Sequence, residues 1–449
     1  MKFRTVIVVG LAIRLAIAPF FAHPFDVFSW YIQCENLLDG KQPLWYFLVP
    51  YWYAFLVGLP STAVFNLLSH IVPTYTISTS TLNPILVPVT SPPITVVPGL
   101  LFNFLVKLPF IASDTLIAYF IHKIVVKHLG EERLAVLASA IWFLNPLSIW
   151  ISSGWGTFDT LPALFTIIAL YFVLERKFEW AAVSLIVASA LKYYAIVLLF
   201  PLMIIAWKTG GRKELVRTLL ITTVLGLLFL LPGLFNAQSR VISTVVAGSQ
   251  NIIHYSGLSV WSALTLFFSD FNQTLVSSSV LAVVSLSIYV WIWERRSDSN
   301  DFFFIISTFT LPIISLLLFY KIVGENFFIW ILPFISIIAV RDVSSKRLYW
   351  ILSAVALVSS MASSLLPYYM LPMSPWIGGW LVSILHVAAP YKVAPTGSVI
   401  QGLSIGKLVL SLLGIAAALV LIMLGSRLVR ISRNLNSQSL KKRKFHVVQ

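Results

Sequence analysis

Long apolar runs separated by short polar turns are the main feature of this chain. A helix that crosses a bilayer needs about 20 apolar residues, and runs of that order recur along the sequence. We place them at residues 5–21, 99–122, 134–152, 160–174, 218–234, 275–293, 303–320, 326–340, 348–366 and 403–424. Backbone polar groups in a bilayer must be paired within the protein, so the runs favour helices. The pattern predicts an all-α polytopic membrane helix bundle of about 10 to 12 transmembrane segments.

The apolar run from Trp180 to Trp207 allows two interpretations. Charged turns flank both of its ends, and these turns are predicted to lie on the same side of the membrane. The run would then enter and return as a broken hairpin, with its break near Lys192 and Pro201. The alternative is one long span followed by a basic loop on the opposite side.

Composition and charge support the membrane interpretation. The chain has a mean hydropathy of +0.91, with 59% hydrophobic and only 10% charged residues. The net charge of +15 is concentrated in short turns and in the tail, as the positive-inside rule requires of cytoplasmic segments. These segments are 123–133, 175–179, 208–217, 294–301, 341–347 and the residues after 427. The basic excess therefore predicts topology and contact with anionic membrane lipids, and no nucleic-acid partner.

Three long connections are predicted on the outer side, at residues 22–98, 235–274 and 367–402. In the first, the aromatic piece "PLWYFLVPYWYAFLVGLP" predicts a helix lying in the membrane interface, where Trp and Tyr rings prefer to sit. The Ser/Thr/Pro tract "PTYTISTSTLNPILVPVTSPP" is expected to be partly disordered. Because Arg14 interrupts the first apolar run, we expect that run to be a retained helix rather than a cleaved signal peptide.

Acidic residues outside the inner turns are the candidate chemical groups. Asp114 lies within a predicted span, where an ionisable residue is costly and is expected to be paired or functional. Asp26 follows the first helix, and Asp159 ends "SSGWGTFD". Either could instead serve as the N-cap of the helix that follows it. The single cysteine, Cys34, excludes an internal disulfide and a multi-thiolate metal site, and we expect no metal and no cofactor.

Several of these segments together resemble one family. "IRLAIAPFFAHPFDVFSWYIQCENLLDGKQPL" is similar to the first helix and outer loop of the GT-C class of membrane glycosyltransferases, and "LVKLPFIASDTLIAYFI" resembles their second helix. "LNPLSIWISSGWGTFDTLPALFTIIALYFVLERK", followed by "ALKYYAIVLLFPL", resembles polyprenyl-phosphate-sugar-dependent mannosyltransferases, including the catalytic subunit of the first GPI mannosyltransferase. "VGENFFIWILPFI" is a weaker match further on.

The resemblance implies an inverting glycosyltransferase. It would move a sugar, mannose in most of the family, from a polyprenyl or dolichyl phosphate donor to an acceptor hydroxyl on the outer face. The acceptor would be a lipid-linked or glycolipid molecule. Asp26 would act as the base, with a pKa raised by partial desolvation, and Asp114 and Asp159 are further catalytic candidates. Because Val27 and Phe28 follow Asp26, the Asp-x-Asp of several relatives is absent, which argues against a metal there.

Basic residues would hold the departing phosphate. By resemblance Lys192 is the leading phosphate ligand, with Arg240 and His254 as alternatives in the second long outer connection. Arg14 is expected to pair with Asp114 or another buried acid, because it lies too far along the helix from Asp26 to reach the reacting centre. Glu35 is a supporting residue in the same loop as Asp26.

Two other classes remain open at this point. A lipid or solute transporter would also carry intramembrane charges and broken helices, but it would usually show an internal repeat, and none is visible here. A non-catalytic membrane subunit would need none of the candidate acids for chemistry. We divide the chain into a catalytic membrane module at 1–235 and variable C-terminal helices with a basic cytoplasmic tail at 236–449. We expect a multi-pass protein of the cell membrane, or of the endoplasmic reticulum in a eukaryote.

Overall fold

A computed structural model describes most of the chain. The described residues are 2–23, 26–27, 30–31, 76–78, 96–98, 100–235, 258–261, 273–295, 302–320, 323–363 and 404–446. The helices within them are α1 Phe3–Ile17, α2 Leu100–Leu129, α3 Glu132–Phe143, α4 Pro146–Ile149, α5 Thr160–Leu174, α6 Phe178–Leu191, α7 Leu199–Phe235, α8 Gln273–Glu294, α9 Phe302–Phe319, α10 Leu332–Ala339, α11 Val343–Ser363 and α12 Ser404–His446. Shorter helical segments are a π-helix, Trp150–Trp155, and two 3₁₀ segments, Tyr193–Leu198 and Glu325–Trp330.

The predicted membrane helix bundle is confirmed. Five described helices are long and apolar enough to cross a membrane, and the bent pair from Glu132 to Trp155 makes a sixth candidate span. The shorter apolar helices α5 and α6 pack against each other and against the long ones. The chain is therefore an integral membrane protein whose described part is almost entirely helical.

The span predicted at 134–152 is a bent pair of helices. The two pieces meet at an angle of 50°. Asn145 explains the break, because its side-chain oxygen accepts a hydrogen bond from the Leu147 backbone N–H at 2.7 Å and Pro146 occupies the first turn of α4. An Asn cap followed by proline is a strong helix start. The second piece ends as a π-helix at Gly156, whose φ is +85°.

The run between Trp180 and Trp207 breaks at Lys192, as the hairpin interpretation predicts. The backbone of Lys192 is extended, with φ −155° and ψ 124°, and a 3₁₀ segment follows. Pro201 is not a break, because it lies in the first turn of α7, where its missing N–H costs no hydrogen bond. The second interruption is instead at Gly211, with φ +72°.

The charged turns meet at one end of the bundle, as their shared side in the topology predicts. Lys127 contacts Glu175 at 2.5 Å, and Arg217 contacts Glu179 at 2.6 Å. Other contacts at this end are Arg427 with Asp342 at 2.5 Å and Arg341 with Glu131. We call this end the charged end. Asp159 directly precedes the first residue of α5 and Glu175 directly follows its last residue, so Asp159 lies at the opposite end of α5 from the charged end.

The core and the outer faces divide by helix. Large side chains such as Trp142, Phe309 and Trp330 are fully or almost fully buried and belong to one hydrophobic core. On α8, by contrast, Val283 and Leu286 are exposed by more than half. An apolar surface of this extent suits contact with lipid tails or with helices of another subunit.

The first outer connection is described only in part. Strand β1, Thr76–Ser78, lies within the Ser/Thr/Pro tract predicted to be partly disordered, and it pairs antiparallel with β2, Val96–Pro98. The rest of that tract is outside the described residues. The aromatic piece predicted to lie in the interface is outside the described residues. The proposed division of the chain at residue 235 stays a prediction.

Candidate functional site

Asp159 is the centre of a buried polar cluster. Its carboxylate is fully buried, and it accepts hydrogen bonds from four side chains. Oδ1 accepts from Lys192 Nζ at 2.5 Å and from Trp330 Nε1 at 2.8 Å. Oδ2 accepts from Thr157 Oγ1 at 2.5 Å and from Asn326 Nδ2 at 2.6 Å. A carboxylate offers about four lone-pair positions, so this set of donors fills them.

Lys192 is also fixed by several contacts within the protein. Its ammonium lies 4.2 Å from the centroid of the Phe327 ring and 5.0 Å from that of Trp330, in cation–π contact. Only 13% of its side chain is exposed. The residue predicted to bind a donor phosphate is thus engaged within the protein, although its location at the helix break is as expected.

Asp159 does not cap α5, the alternative considered for it. It occupies the N-cap position, but its side chain makes no cap hydrogen bond. The carboxylate is instead turned towards Lys192 and the 3₁₀ segment Glu325–Trp330. Asp159 therefore ties together the start of α5, the end of α6 and a segment more than 160 residues later.

Arg14 and Asp114 form the buried ion pair expected from the sequence. Arg14 Nε donates to Asp114 Oδ2 at 2.8 Å, and both side chains are fully buried. The guanidinium also donates to the Phe143 carbonyl at 2.7 Å and to Ser148 Oγ at 3.0 Å. It lies over the Phe143 ring at 4.1 Å. These contacts connect α1, α2 and the bend between α3 and α4, so Arg14 acts as a packing centre inside the bundle.

Asp26 is the most accessible of the three candidate acids, with one third of its side chain exposed. Its Oδ2 accepts a hydrogen bond from Trp155 Nε1 and lies 3.1 Å from His23 Nδ1. Burial raises the pKa of Asp26, but the nearby His23 and the Trp155 hydrogen bond lower it further, so its net pKa lies below the ordinary value. The predicted upward shift of its pKa is therefore wrong. Asp26 is suited to remain ionised rather than to exchange a proton near neutral pH.

Lys107 and Asn103 form a cradle that the sequence did not single out. Lys107 is fully buried, and its ammonium donates to three carbonyls, those of Ala18 at 2.9 Å, Ser153 at 2.8 Å and Phe21. Asn103 Nδ2 reaches the same segment after α1, with bonds of 2.8 to 3.1 Å. The two donors fix the chain leading to Asp26. The signal for this cradle was polar residues four positions apart on an otherwise apolar helix.

The remaining predicted site residues lie outside the described residues. They are Glu35, Arg240 and His254. Within the described part of the chain, no group of three or more His, Cys, Asp or Glu side chains is arranged to hold a metal ion.

A model of the family described as GPI transamidase subunit PIG-U matches residues 62–256. The match covers fewer than half of the 449 residues, but it includes helices α2 to α7 and therefore Lys107, Asp114, Asp159 and Lys192. The chain is similar to that family over this region.

The match corrects the function expected from the sequence. PIG-U is named as a subunit of GPI transamidase, which is a different complex from a GPI mannosyltransferase. The glycosyltransferase class, the mannosyltransferase resemblance and the polyprenyl-phosphate sugar donor with its glycolipid acceptor are therefore wrong. Among the alternatives weighed from the sequence, the non-catalytic membrane subunit agrees best with the match.

Proposed function

We propose that this chain is a non-catalytic membrane subunit of a GPI transamidase, the assembly that attaches proteins to GPI anchors. Its partners would be the other transamidase subunits and the proteins that receive the anchor. Its membrane would be that of the endoplasmic reticulum. The observation that carries the proposal is the similarity of residues 62–256 to the PIG-U subunit.

The geometry of two of the three candidate acids agrees with a subunit that performs no chemistry. Asp159 has its lone-pair positions filled by donors from its own chain, and Asp114 is paired with Arg14 inside the bundle. A general base must reach the proton it removes, and neither buried carboxylate is presented to a substrate. The polar clusters instead connect the ends of different helices within the chain.

The outer faces of the bundle suit assembly. Exposed apolar side chains follow α8 and the later part of α7, including Leu227, Leu228, Val283 and Leu286. Between membrane helices, association depends on close packing rather than on removal of apolar surface from water, so such faces accept either lipid or a neighbouring helix.

The test is purification of the full chain, with an affinity tag, from membranes of cells that encode it. A mild detergent would be used, and a tagged multi-span protein of similar size would serve as the control. We expect a stoichiometric complex that transfers a GPI anchor to a peptide carrying an attachment signal. A chain that purifies alone, with the transfer activity left in the unbound fraction, would contradict the proposal.

A further inference from the structure

A half-enclosed cavity of about 160 Å³ lies at the charged end of the bundle. It is bordered by the turn between α5 and α6 and by α2, α7 and α9. Its inner wall is apolar and is formed by the buried side chains of Val173, Phe178, Ile205 and Ile305. The wall is therefore suited to hydrocarbon rather than to a fully hydrated ion.

The rim of this cavity is polar and basic. His128, Arg176 and Thr209 line it. The nearby carboxylate, Glu175, is already engaged, because one of its oxygens accepts from Lys127 Nζ at 2.5 Å. Its other oxygen lies 3.8 Å from His128 Nε2. The rim thus combines an arginine and an imidazole, while the Thr209 hydroxyl already donates to the Ile205 carbonyl at 2.8 Å and the adjacent acid is paired with lysine.

The backbone of Arg176 is in the left-handed region, with φ +58°. Among the non-glycine residues that the structure describes, it is the one with a positive φ. This conformation costs free energy for a residue with a Cβ, whereas glycine adopts it without strain. The geometry of the turn therefore does not account for an arginine at this position, and strained residues of this kind cluster at ligand sites.

We propose that this cavity binds the headgroup of an anionic phospholipid. Arg176 would contact the phosphate through paired N–H groups, with His128 as a further donor. The glycerol and first methylenes would lie against the apolar wall. The position agrees with this ligand, since the charged end is the end that the positive-inside rule assigns to the anionic leaflet. The inference does not depend on the proposed function.

The test is binding of short-chain lipids to the full chain in detergent. Dioctanoyl phosphatidylglycerol, dioctanoyl phosphatidylcholine and inorganic phosphate would each be titrated while Kd and the thermal midpoint are measured. Arg176→Gly removes the side chain and keeps the turn unstrained, so it should fold at least as well as the wild type. Arg347→Gln is the matched control, because Arg347 is an exposed arginine at the same end that does not line the cavity.

We expect saturable binding of phosphatidylglycerol that Arg176→Gly weakens by about 10-fold or more, the effect of losing a hydrogen bond to a charged group. Arg347→Gln should leave Kd unchanged. Three results would overturn the proposal: equal binding of phosphatidylcholine, equal effects of the two variants, or saturation by inorganic phosphate at the same concentration. The last result would identify a free anion as the ligand in place of a lipid.

Discussion

Replacing Asp159 by Asn should destabilise the fold strongly. The substitution leaves the Lys192 ammonium without its counter-ion, in a position where only 13% of the side chain is exposed. Removing one partner of a buried ion pair costs about 3–5 kcal/mol. The new amide N–H₂ also faces the side-chain donors of Thr157 and Asn326, at a cost of about 1–3 kcal/mol, but the two losses share partners and are not additive. We expect a total loss of about 3–5 kcal/mol in the free energy of unfolding.

The assay is reversible unfolding in mixed detergent micelles, followed by circular dichroism. Glu179→Gln is the control, because it breaks an ion pair with Arg217 whose arginine side chain is 61% exposed, and exposed pairs contribute about 0–1 kcal/mol. Lys192→Met, alone and combined with Asp159→Asn, completes a double-mutant cycle, in which the double variant should lose less than the sum of the singles. A loss for Asp159→Asn no greater than that for Glu179→Gln would refute the structural role of Asp159.

Three further predictions follow from local geometry. Gly156→Ala should destabilise the protein by about 1–3 kcal/mol more than Gly130→Ala in the same unfolding assay, because both glycines have positive φ but only at Gly156 would a Cβ meet Lys107 Cε, at 2.7 Å; equal losses would show that the Lys107 contact is unimportant. Arg14→Met should cost about 3–5 kcal/mol, and adding Asp114→Leu should recover most of it, since the uncompensated charge is then gone; no recovery would contradict the ion-pair account. Burial raises the pKa of Asp342, but Arg427 and Ser345 lower it further, to below the ordinary value. The ionised Asp342 should therefore stabilise the folded protein above about pH 4, and this contribution should be lost as the pH falls further. In pH-dependent unfolding, Asp342→Asn should remove the loss of stability that protonation of Asp342 causes.

The helices were predictable from the sequence because a bilayer allows few backbone conformations. An apolar run of sufficient length must be helical there, and charged turns must share a side, so both features follow from local composition. The break at Lys192 was also predictable, because charges flank the run on both sides. The interruption at Gly211 lies within the charged turn predicted at residues 208–217, where a glycine supplies the positive φ.

The polar clusters could be predicted only in part. The Arg14–Asp114 pair was expected, because two charges within spans need partners. Asp159 was considered as a local helix cap, whereas its actual partners Asn326 and Trp330 lie 167 and 171 residues away in sequence. The periodic pattern of apolar residues along a helix gives no information about contacts between residues so far apart in sequence. The pKa direction of Asp26 was missed for a different reason, since the main group that lowers it, His23, is only three residues away in sequence, and Trp155, 129 residues away, adds to its effect.

The measurement that tests the central claim most directly is GPI attachment in cells that encode this chain. The chain would be removed and then supplied again as the wild type or as Asp26→Asn, while the fraction of a reporter protein that acquires the anchor is measured. As a non-catalytic subunit, the chain should be required for attachment, and both forms should restore it. Attachment that continues without the chain would contradict the account, and restoration by the wild type alone, at equal protein level, would give Asp26 a chemical role that the account denies.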